Sequence, residues 1–593
     1  MKILKLAVWA PVLALAACAQ QPLQPGDAQP VPPAQPAQPA QPAVQAPAPK
    51  PRVAVRPPAQ PRVLPNQDLS TAVLFKMLLA EIALQRGQVN VAVQSLLEVA
   101  RETRDPRIAQ RATEVAWNAR FIRVALETAG IWLAAEPESL HARQVLAMLL
   151  VSQGRLAEAQ PHLAQTLAAD PENVGANFLQ LQRSLATHSD KAAVLQLTQA
   201  LALPYPKLPE SHYSVAQAAL GAGQSDLALT EVRAALLLRP EWEQGALLQG
   251  QLLQRTSSAD AVAYYQEYLK RHPRAMDVRL SYARLLVTDQ KYSEARSEFQ
   301  TLMKEFPDNP DVALAVGLLS LQLRDFDAAE AQLLRALETN YKDPDAVRFY
   351  LGQANEQHQR FDEALRWYGS IKGGDQYVPA RSHYATILAK QGRLDEARRY
   401  LQESGQNAQQ RVQFVQAEAQ LLRDASDYRG AYDVLGQALE KNPKSPELLY
   451  DHAMAAEKID RVDVLESNLR QVIQIKPDHA HAYNALGYTL ADRNTRLQEA
   501  YTLIEQALKI APEDPFIMDS MGWVLYRMGQ HDSALVFLKR AFELRPDAEI
   551  AAHLGEVLWA AGQRDEARRI WDSALKLSPA NEVLLATVKK FSP

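Results

Sequence analysis

The feature that most constrains the fold is a pattern of about 34 residues, written three times in succession between Tyr483 and Pro579. Each copy has a Leu-Gly or Met-Gly pair near its start and a proline at its end, with two alanines at fixed offsets between them. The three sets are Gly487, Ala500, Ala507 and Pro512; Gly522, Ala534, Ala541 and Pro546; and Gly555, Ala567, Ala574 and Pro579. Such a period indicates an array of one repeated unit rather than several unrelated domains.

The spacing within one copy predicts two antiparallel helices that cross at the small residues. Glycine and alanine at a crossing let two backbones approach closely, so a bulky residue at Gly522 or Ala534 should cost roughly 1 to 3 kcal/mol through overpacking. The proline ends the second helix because it lacks an N–H and clashes with the preceding turn. One such unit cannot bury its apolar face alone, and we therefore expect the units to stack into a solenoid.

This layout resembles the tetratricopeptide repeat (TPR), in which Leu-Gly, Tyr, Ala, Phe, Ala and Pro recur at fixed offsets. The resemblance implies an all-α TPR solenoid, a right-handed superhelix of about fifteen helix-turn-helix units over residues 70–579. A last amphipathic helix in residues 580–593 is expected to cap it. Earlier units are traced by their closing prolines, which are Pro137, Pro171, Pro204, Pro240, Pro273, Pro307, Pro443 and Pro477. Between Pro307 and Pro443 no closing proline marks the units, and Ala329, Ala364 and Ala397 trace them instead.

Local signals at the helix ends agree with this period. A left-handed turn is expected after the first helix of five units, where glycine recurs at the same position: Gly154, Gly223, Gly392, Gly529 and Gly562. A capping side chain followed by proline predicts five helix starts, at Asp105-Pro106, Asn309-Pro310, Asp343-Pro344, Ser445-Pro446 and Asp514-Pro515. Two stretches fit the period less well and are candidate joints, residues 203–209 and residues 371–378.

Composition and motifs argue against several classes of function. The chain has 593 residues, 47% of them hydrophobic, and a net charge of −4, so nothing points to nucleic acid. A single cysteine, Cys18, excludes an intrachain disulfide and a cysteine zinc site. Hydrolase, nucleotide-binding and zincin motifs are missing, and we therefore predict no enzyme activity, no cofactor and no metal site. His479 and His481 are interpreted as an ordinary helix start.

The first residues have the pattern of a targeting segment. Lys2 and Lys5 precede a short apolar run, which predicts a signal peptide over residues 1–17. The sequence Leu15-Ala16-Ala17-Cys18 resembles the lipobox of bacterial lipoproteins, which implies lipidation of Cys18; the alternative is an ordinary secretory signal with an incidental cysteine. Residues 18–65 are predicted to be a disordered linker, since 15 of the chain's 37 prolines lie between residues 19 and 65.

The late repeats carry the candidate binding residues. In TPR proteins that resemble this chain, positions 5, 9 and 12 of each first helix line the concave groove. Here these positions hold Asn484, Tyr488 and Ala491, then Asp519, Trp523 and Tyr526, then Ala552, Glu556 and Trp559, and Arg527 follows Tyr526. Aromatic rings interleaved with polar groups suit recognition of a protein partner. The alternative is that the aromatic rings pack between units and never meet a ligand.

The plan as a whole resembles the TPR lipoproteins of proteobacterial outer membranes, in particular the adaptor lipoprotein of periplasmic carboxyl-terminal processing proteases. That resemblance implies a lipid-anchored, periplasm-facing scaffold on the outer membrane, without catalysis, which binds a protease and presents substrates such as peptidoglycan hydrolases. Its partners would be proteins, and the membrane through the anchor. The alternative is an assembly or scaffold factor for an outer-membrane secretion, exopolysaccharide export or pilus machine.

Overall fold

The computed structural model describes residues 69–591. The predicted signal peptide, the predicted lipidation at Cys18 and the predicted linker therefore lie outside the described residues. Within them the chain forms 31 α-helices and no strand. No helix in this range combines the length and the apolar character needed to cross a membrane.

The helices follow one another as fifteen pairs and a last single helix. Most helices pack against the helix that follows them in the chain. The predicted all-α solenoid of about fifteen helix-turn-helix units is confirmed. The helices are α1 Thr71–Gln85, α2 Val89–Thr103, α3 Pro106–Asn118, α4 Ile122–Ala135, α5 Leu140–Ser152, α6 Leu156–Ala168, α7 Val174–Leu185, α8 Lys191–Ala202, α9 Pro209–Gly221, α10 Ser225–Leu238, α11 Glu243–Gln254, α12 Ser258–Arg271, α13 Met276–Thr288, α14 Tyr292–Glu305, α15 Pro310–Gln322, α16 Phe326–Glu338, α17 Pro344–Gln357, α18 Phe361–Ser370, α19 Tyr377–Lys390, α20 Leu394–Ser404, α21 Ala408–Asp424, α22 Tyr428–Lys441, α23 Pro446–Lys458, α24 Val462–Ile475, α25 Ala480–Asp492, α26 Leu497–Ile510, α27 Pro515–Arg527, α28 His531–Leu544, α29 Ala548–Ala560, α30 Arg564–Leu577 and α31 Glu582–Phe591.

The chain divides into two compact units, between Ala328 and Ala329 inside α16. Neither of the two candidate joints coincides with this division. In the first unit the core is a series of apolar clusters between neighbouring helices, from Ala80 to Leu319. In the second unit the largest cluster runs from Leu449 to Leu584 and contains the three clear repeats.

The small residues of the repeats lie where the helices cross, as predicted. A Cβ added to Gly522 of α27 would lie 2.5 Å from Cγ of Leu538 and 3.1 Å from the backbone oxygen of Ala534, both in α28. The corresponding alanines are fully buried, namely Ala500, Ala534 and Ala567. The short repeat period therefore produces close contact between the two helices of each pair.

The predicted helix ends are confirmed in detail. All five glycines expected in a left-handed turn have positive φ, between 70° and 83°. All five capping side chains accept a hydrogen bond from a backbone N–H in the first turn of their helix. His479 likewise caps α25, since its Nδ1 accepts the N–H of Ala482 at 3.1 Å.

Seven other helix pairs make the same left-handed turn without glycine. Their φ values lie between 53° and 64°, at Arg120, Gln290, Arg324, Gln359, Ser426, Asp460 and Asn494. A left-handed conformation costs an ordinary residue roughly 1 to 2 kcal/mol. The antiparallel packing of each pair imposes the turn in spite of that cost. Counting the glycines at this position therefore underestimates the number of pairs that make the turn.

Candidate functional site

The predicted groove residues lie on the first helices of the last three pairs, α25, α27 and α29. Asn484 and Tyr488 are on α25, and Glu556 and Trp559 are on α29. The other four, Asp519, Trp523, Tyr526 and Arg527, are on α27. Helix α27 packs against both α25 and α29, so the 34-residue spacing brings these side chains to one face.

A buried histidine that sequence reasoning missed links α27 and α29. Nδ1 of His553 donates to the carboxylate of Asp519, 2.9 Å from Oδ2 and 3.1 Å from Oδ1. The imidazole stacks on Trp523 with ring centroids 4.3 Å apart, and the ring of Tyr488 lies 6.0 Å away. We name Asp519, Trp523 and His553 the buried triad. The sequence gives one clue to a role for His553, which is that it directly follows Ala552, a predicted groove residue.

The electrostatics of the triad favour the imidazolium. Burial by itself would lower the pKa of His553, but the charge and hydrogen bond of Asp519, with the charges of Glu556 and Asp492, raise it above its ordinary value. Burial is also the main reason why the pKa values of Tyr488 and Tyr526 are raised. The site is therefore held together by charge as well as by packing.

Glu556 joins the groove to the last helix. Its side chain is buried, Tyr526 Oη donates to its Oε1 at 3.4 Å, and Lys590 Nζ of α31 lies 3.0 Å from the same oxygen. A buried carboxylate requires such partners, because desolvation penalises an unpaired charge. The sequence predicts a capping helix in residues 580–593 but does not reveal that Lys590 pairs with Glu556.

Arg527 and Trp559 lie at the margins of the site. Nη2 of Arg527 donates to the backbone oxygen of Asp492 at 3.1 Å, and its guanidinium lies 5.7 Å from the ring centre of Trp523. Trp559 packs away from the triad, against Trp571 and Phe591 with ring centroids 5.8 and 6.0 Å away. Contacts through His553, Trp523 and Tyr526 thus join Tyr488, Asp519, Arg527 and Glu556 into one cluster, whereas Trp559 packs against the last two helices.

Exposure separates this cluster into a buried layer and an outer layer. Trp523 is only 5% exposed, and Asp519 and Glu556 are also buried. The partly exposed residues are Asn484, Tyr488, Tyr526, Arg527 and Trp559. Asn484 Oδ1 and Trp523 Nε1 are buried and have no hydrogen-bond partner among residues 69–591. Binding at this face stays a prediction, and the outer layer is where a partner could make contact.

The hydroxyl group beside Asp519 in the sequence forms a hydrogen bond within its own helix. Ser520, next to Asp519, donates its hydroxyl to the backbone oxygen of Phe516 at 3.0 Å. Across residues 69–591, no group of three or more His, Cys, Asp or Glu side chains could hold a metal ion. The chemistry that the described face offers is recognition through aromatic, amide and charged groups.

Comparisons with known proteins identify the family. Models of the tetratricopeptide repeat match residues 145–201, 252–319, 286–350, 378–403 and 525–588. The chain is 34% identical over 485 residues to the TPR repeat-containing protein PA4667 of Pseudomonas aeruginosa, covering 82% of each chain. The chain belongs to the tetratricopeptide-repeat family. The repeat is a scaffold for interactions between proteins, and this TPR protein carries it over most of its length.

Other similarities of this TPR protein are more distant. It is 24% identical over 354 residues to the cellulose synthase operon protein C of Pseudomonas fluorescens, covering 49% of this chain and 27% of that protein. The solved TPR protein TTC0263 of Thermus thermophilus is 25% identical and covers 29% of this chain and 94% of its own, with a TM-score of 0.27. That score is low, so the likeness carries no further argument.

Proposed function

We propose that this protein is a non-catalytic scaffold that faces the periplasm, is anchored in the outer membrane by a lipid on Cys18, and binds a periplasmic processing protease. It would present protein substrates, such as peptidoglycan hydrolases, to that protease. The observation that carries the proposal is the outer layer of the site, where Tyr488, Tyr526 and Arg527 lie on adjacent first helices over the buried triad.

The buried layer supports the proposal by holding the outer layer in place. The stack of Trp523 and His553 and the bond from Tyr526 to Glu556 restrict the side chains before any partner arrives. Groups ordered in advance lose less entropy on binding. A scaffold that holds protease and substrate together raises their effective concentration without new chemistry.

A second candidate is an assembly factor for an envelope machine for secretion, exopolysaccharide export or pili. The similarity to the cellulose synthase operon protein C favours it, since that protein's name refers to a polysaccharide synthesis operon. The protease adaptor remains our first proposal, because the similarity to that relative covers only 27% of the relative's length.

In-cell cross-linking with mass spectrometry of captured partners tests the first proposal. The variant is Tyr526→Ala/Arg527→Ala, since both side chains are partly exposed and Glu556 keeps Lys590 as a partner. Circular dichroism checks that the variant remains folded. The matched control is Tyr428→Ala/Arg429→Ala, the same dipeptide at the start of α22, the second helix of its pair. We expect capture of a processing protease or wall hydrolases, lost in the variant and kept in the control.

Other results would decide against parts of the proposal. Capture of export or pore components instead would favour the assembly factor. If the variant and the control capture the same partners in equal amounts, Tyr526 and Arg527 do not bind them and serve only in packing. The anchor is tested separately by cell fractionation with Cys18→Ser and by the intact mass of the peptide that contains Cys18; an unmodified cysteine would refute lipidation.

A further inference from the structure

A cleft in the first unit is lined by the first helices of three consecutive helix pairs, α7, α9 and α11. Its volume is about 360 Å³, within the range of roughly 300 to 1,000 Å³ that is usual for ligand sites. Gln182, Gln217 and Gln251 line it, and each is the ninth residue of its helix. We name these three residues the glutamine row.

The amide groups of the glutamine row are available to a ligand. All three side chains are partly or fully exposed. Gln217 Nε2 donates to Oη of Tyr213, 2.9 Å away, and the side chains of Gln182 and Gln251 form no hydrogen bond with residues 69–591. A glutamine amide both donates and accepts, so it can bond the C=O and the N–H of one peptide unit.

The repeat of the row along the array suits an extended chain. Helices that pack side by side lie roughly 8 to 10 Å apart. An extended peptide advances roughly 3.3 Å per residue, so about three residues cover that distance. A peptide that crosses α7, α9 and α11 therefore meets a glutamine at roughly every third residue.

The apolar part of the cleft favours a peptide over a sugar chain. Leu179, Leu247 and Leu248 line it, and aliphatic side chains suit an apolar side chain of a peptide. Sugar rings are commonly held on the open face of an aromatic ring. Tyr213, the aromatic residue of the cleft, packs its ring against Trp242 with centroids 4.7 Å apart, and its hydroxyl is bonded to the glutamine row.

Arg183 of α7 gives the cleft a positive charge. The side chain is exposed and forms no ion pair with residues 69–591, and the other residues that line the cleft are uncharged. Two arginines on other first helices of this unit are paired, Arg111 with Glu81 and Arg279 with Glu298. A guanidinium without a partner is suited to a carboxylate, which it can bind with two hydrogen bonds.

We propose that the glutamine row is a second binding site of this TPR protein and holds an extended acidic peptide segment of a partner protein. The three amides bond the peptide backbone, an apolar side chain of the peptide lies on Leu247 and Leu248, and a carboxylate of the peptide pairs with Arg183.

The late face differs from this cleft at the same helix position. The ninth residues of α25, α27 and α29 are Tyr488, Trp523 and Glu556, in place of three amides. An acidic segment is disfavoured next to Glu556 and favoured next to Arg183. The two faces therefore suit different segments, and this proposal does not depend on the proposed protease partner.

Peptide selection on the full chain tests the site. The probes are phage-displayed random peptides of about twelve residues, long enough to cross three helices. We expect the selected peptides to be rich in aspartate and glutamate. Fluorescein-labelled copies are then titrated with the purified chain, and the fluorescence anisotropy gives the Kd.

Substitution of the row should weaken this binding. In Gln182→Ala/Gln217→Ala/Gln251→Ala we expect the Kd to rise roughly 100-fold, because each lost hydrogen bond contributes a factor of roughly five. The matched control has alanine at three exposed glutamines of α7 and α8 that do not line the cleft, and it should keep the Kd; it is Gln180→Ala/Gln196→Ala/Gln199→Ala. Circular dichroism checks that both variants remain helical.

A charge cycle tests the role of Arg183. Arg183→Ala should weaken binding of the acidic peptide. A copy of the peptide with asparagine and glutamine in place of its acidic residues should bind the unchanged chain and Arg183→Ala equally well, because the interaction that distinguishes the two chains is gone.

Hydrogen exchange of the unchanged chain locates the peptide without any substitution. We expect bound peptide to slow amide exchange in α7, α9 and α11. Slowing in α25, α27 and α29 instead would assign the peptide to the late face and overturn the proposal.

Other results would also overturn it. They are a selection that yields no binding peptide, a Kd that is the same in the row variant and its control, and an acidic peptide that binds Arg183→Ala as tightly as the unchanged chain. Binding of chitin oligosaccharides that is lost in the row variant, with no peptide selected, would assign the cleft to a sugar chain instead.

Discussion

Replacing Gly487 with alanine is a sharp test of how the late repeats are packed. A methyl group added at Gly487 of α25 would lie 2.6 Å from Cγ1 of Ile504 and 2.9 Å from the backbone oxygen of Ala500. Ile504 can change rotamer only within a full core, since it is completely buried. The oxygen of Ala500 belongs to α26, so relief of the second contact requires the two helices to separate.

The magnitude follows from two opposing effects. Overpacking costs roughly 1 to 3 kcal/mol. Alanine gains about 0.5 to 1 kcal/mol over glycine in a helix interior. Both contacts are closer than 3.0 Å, which places the overpacking cost in the upper part of its range, about 2 to 3 kcal/mol. With a gain of about 1 kcal/mol the net loss should be about 1 to 2 kcal/mol, which corresponds to a factor of roughly 5 to 30 in the open population. In an array each unit depends on its neighbours, so the loss should be local.

Hydrogen exchange with mass spectrometry measures this loss of stability helix by helix. We expect amides of α25 and α26 in Gly487→Ala to exchange roughly 5 to 30 times faster than in the unchanged chain. Gly130→Ala in α4 is the control, because no atom lies within 4 Å of the added methyl group, and exchange there should slow. Unchanged or slower exchange in α25 and α26 would refute the close crossing at Gly487.

Two further predictions concern pH. The pKa of His553 is raised in the folded chain. Its ion pair therefore stabilises the fold fully below the unfolded pKa of about 6.5, and this stabilisation is lost as the pH rises through the folded pKa. Asp519→Asn should abolish this pH dependence of the unfolding free energy in urea unfolding curves measured from about pH 6 to about pH 9. The pKa of Glu466 is lowered to about 2, first by its hydrogen bond from Arg496, so its contribution is lost as pH falls from about 4.3 toward about 2. Glu466→Gln should flatten that acid limb, and an acid limb identical to that of the unchanged chain would contradict the assignment.

Helix starts and repeat period could be predicted because they depend on neighbours in sequence. A side chain such as Asp514 caps the N–H groups two and three residues further on, and proline at the next position favours a helix start wherever the unit lies. The turns were predicted less completely. Five glycines identified five turns, but residues such as Arg120 and Asn494 make the same turn because the helix pair forces it.

The candidate site could be predicted only in outline. Spacing placed Asn484, Asp519 and Glu556 on successive first helices, which the structure brings side by side. Spacing did not separate Trp523, which is buried, from Tyr526, which is partly exposed. Both are aromatic residues on one helix, and the difference between them arises from the neighbouring helix.

The amino-acid sequence by itself determined the helical fold and its period, because these follow from local geometry repeated along the chain. Tertiary structure alone decided the character of the late face. His553 meets Asp519 across 34 positions, and Lys590 meets Glu556 across another 34. Whether a charge is paired or a ring is stacked depends on how helices from different repeats pack. No local sequence pattern encodes the distances between such side chains.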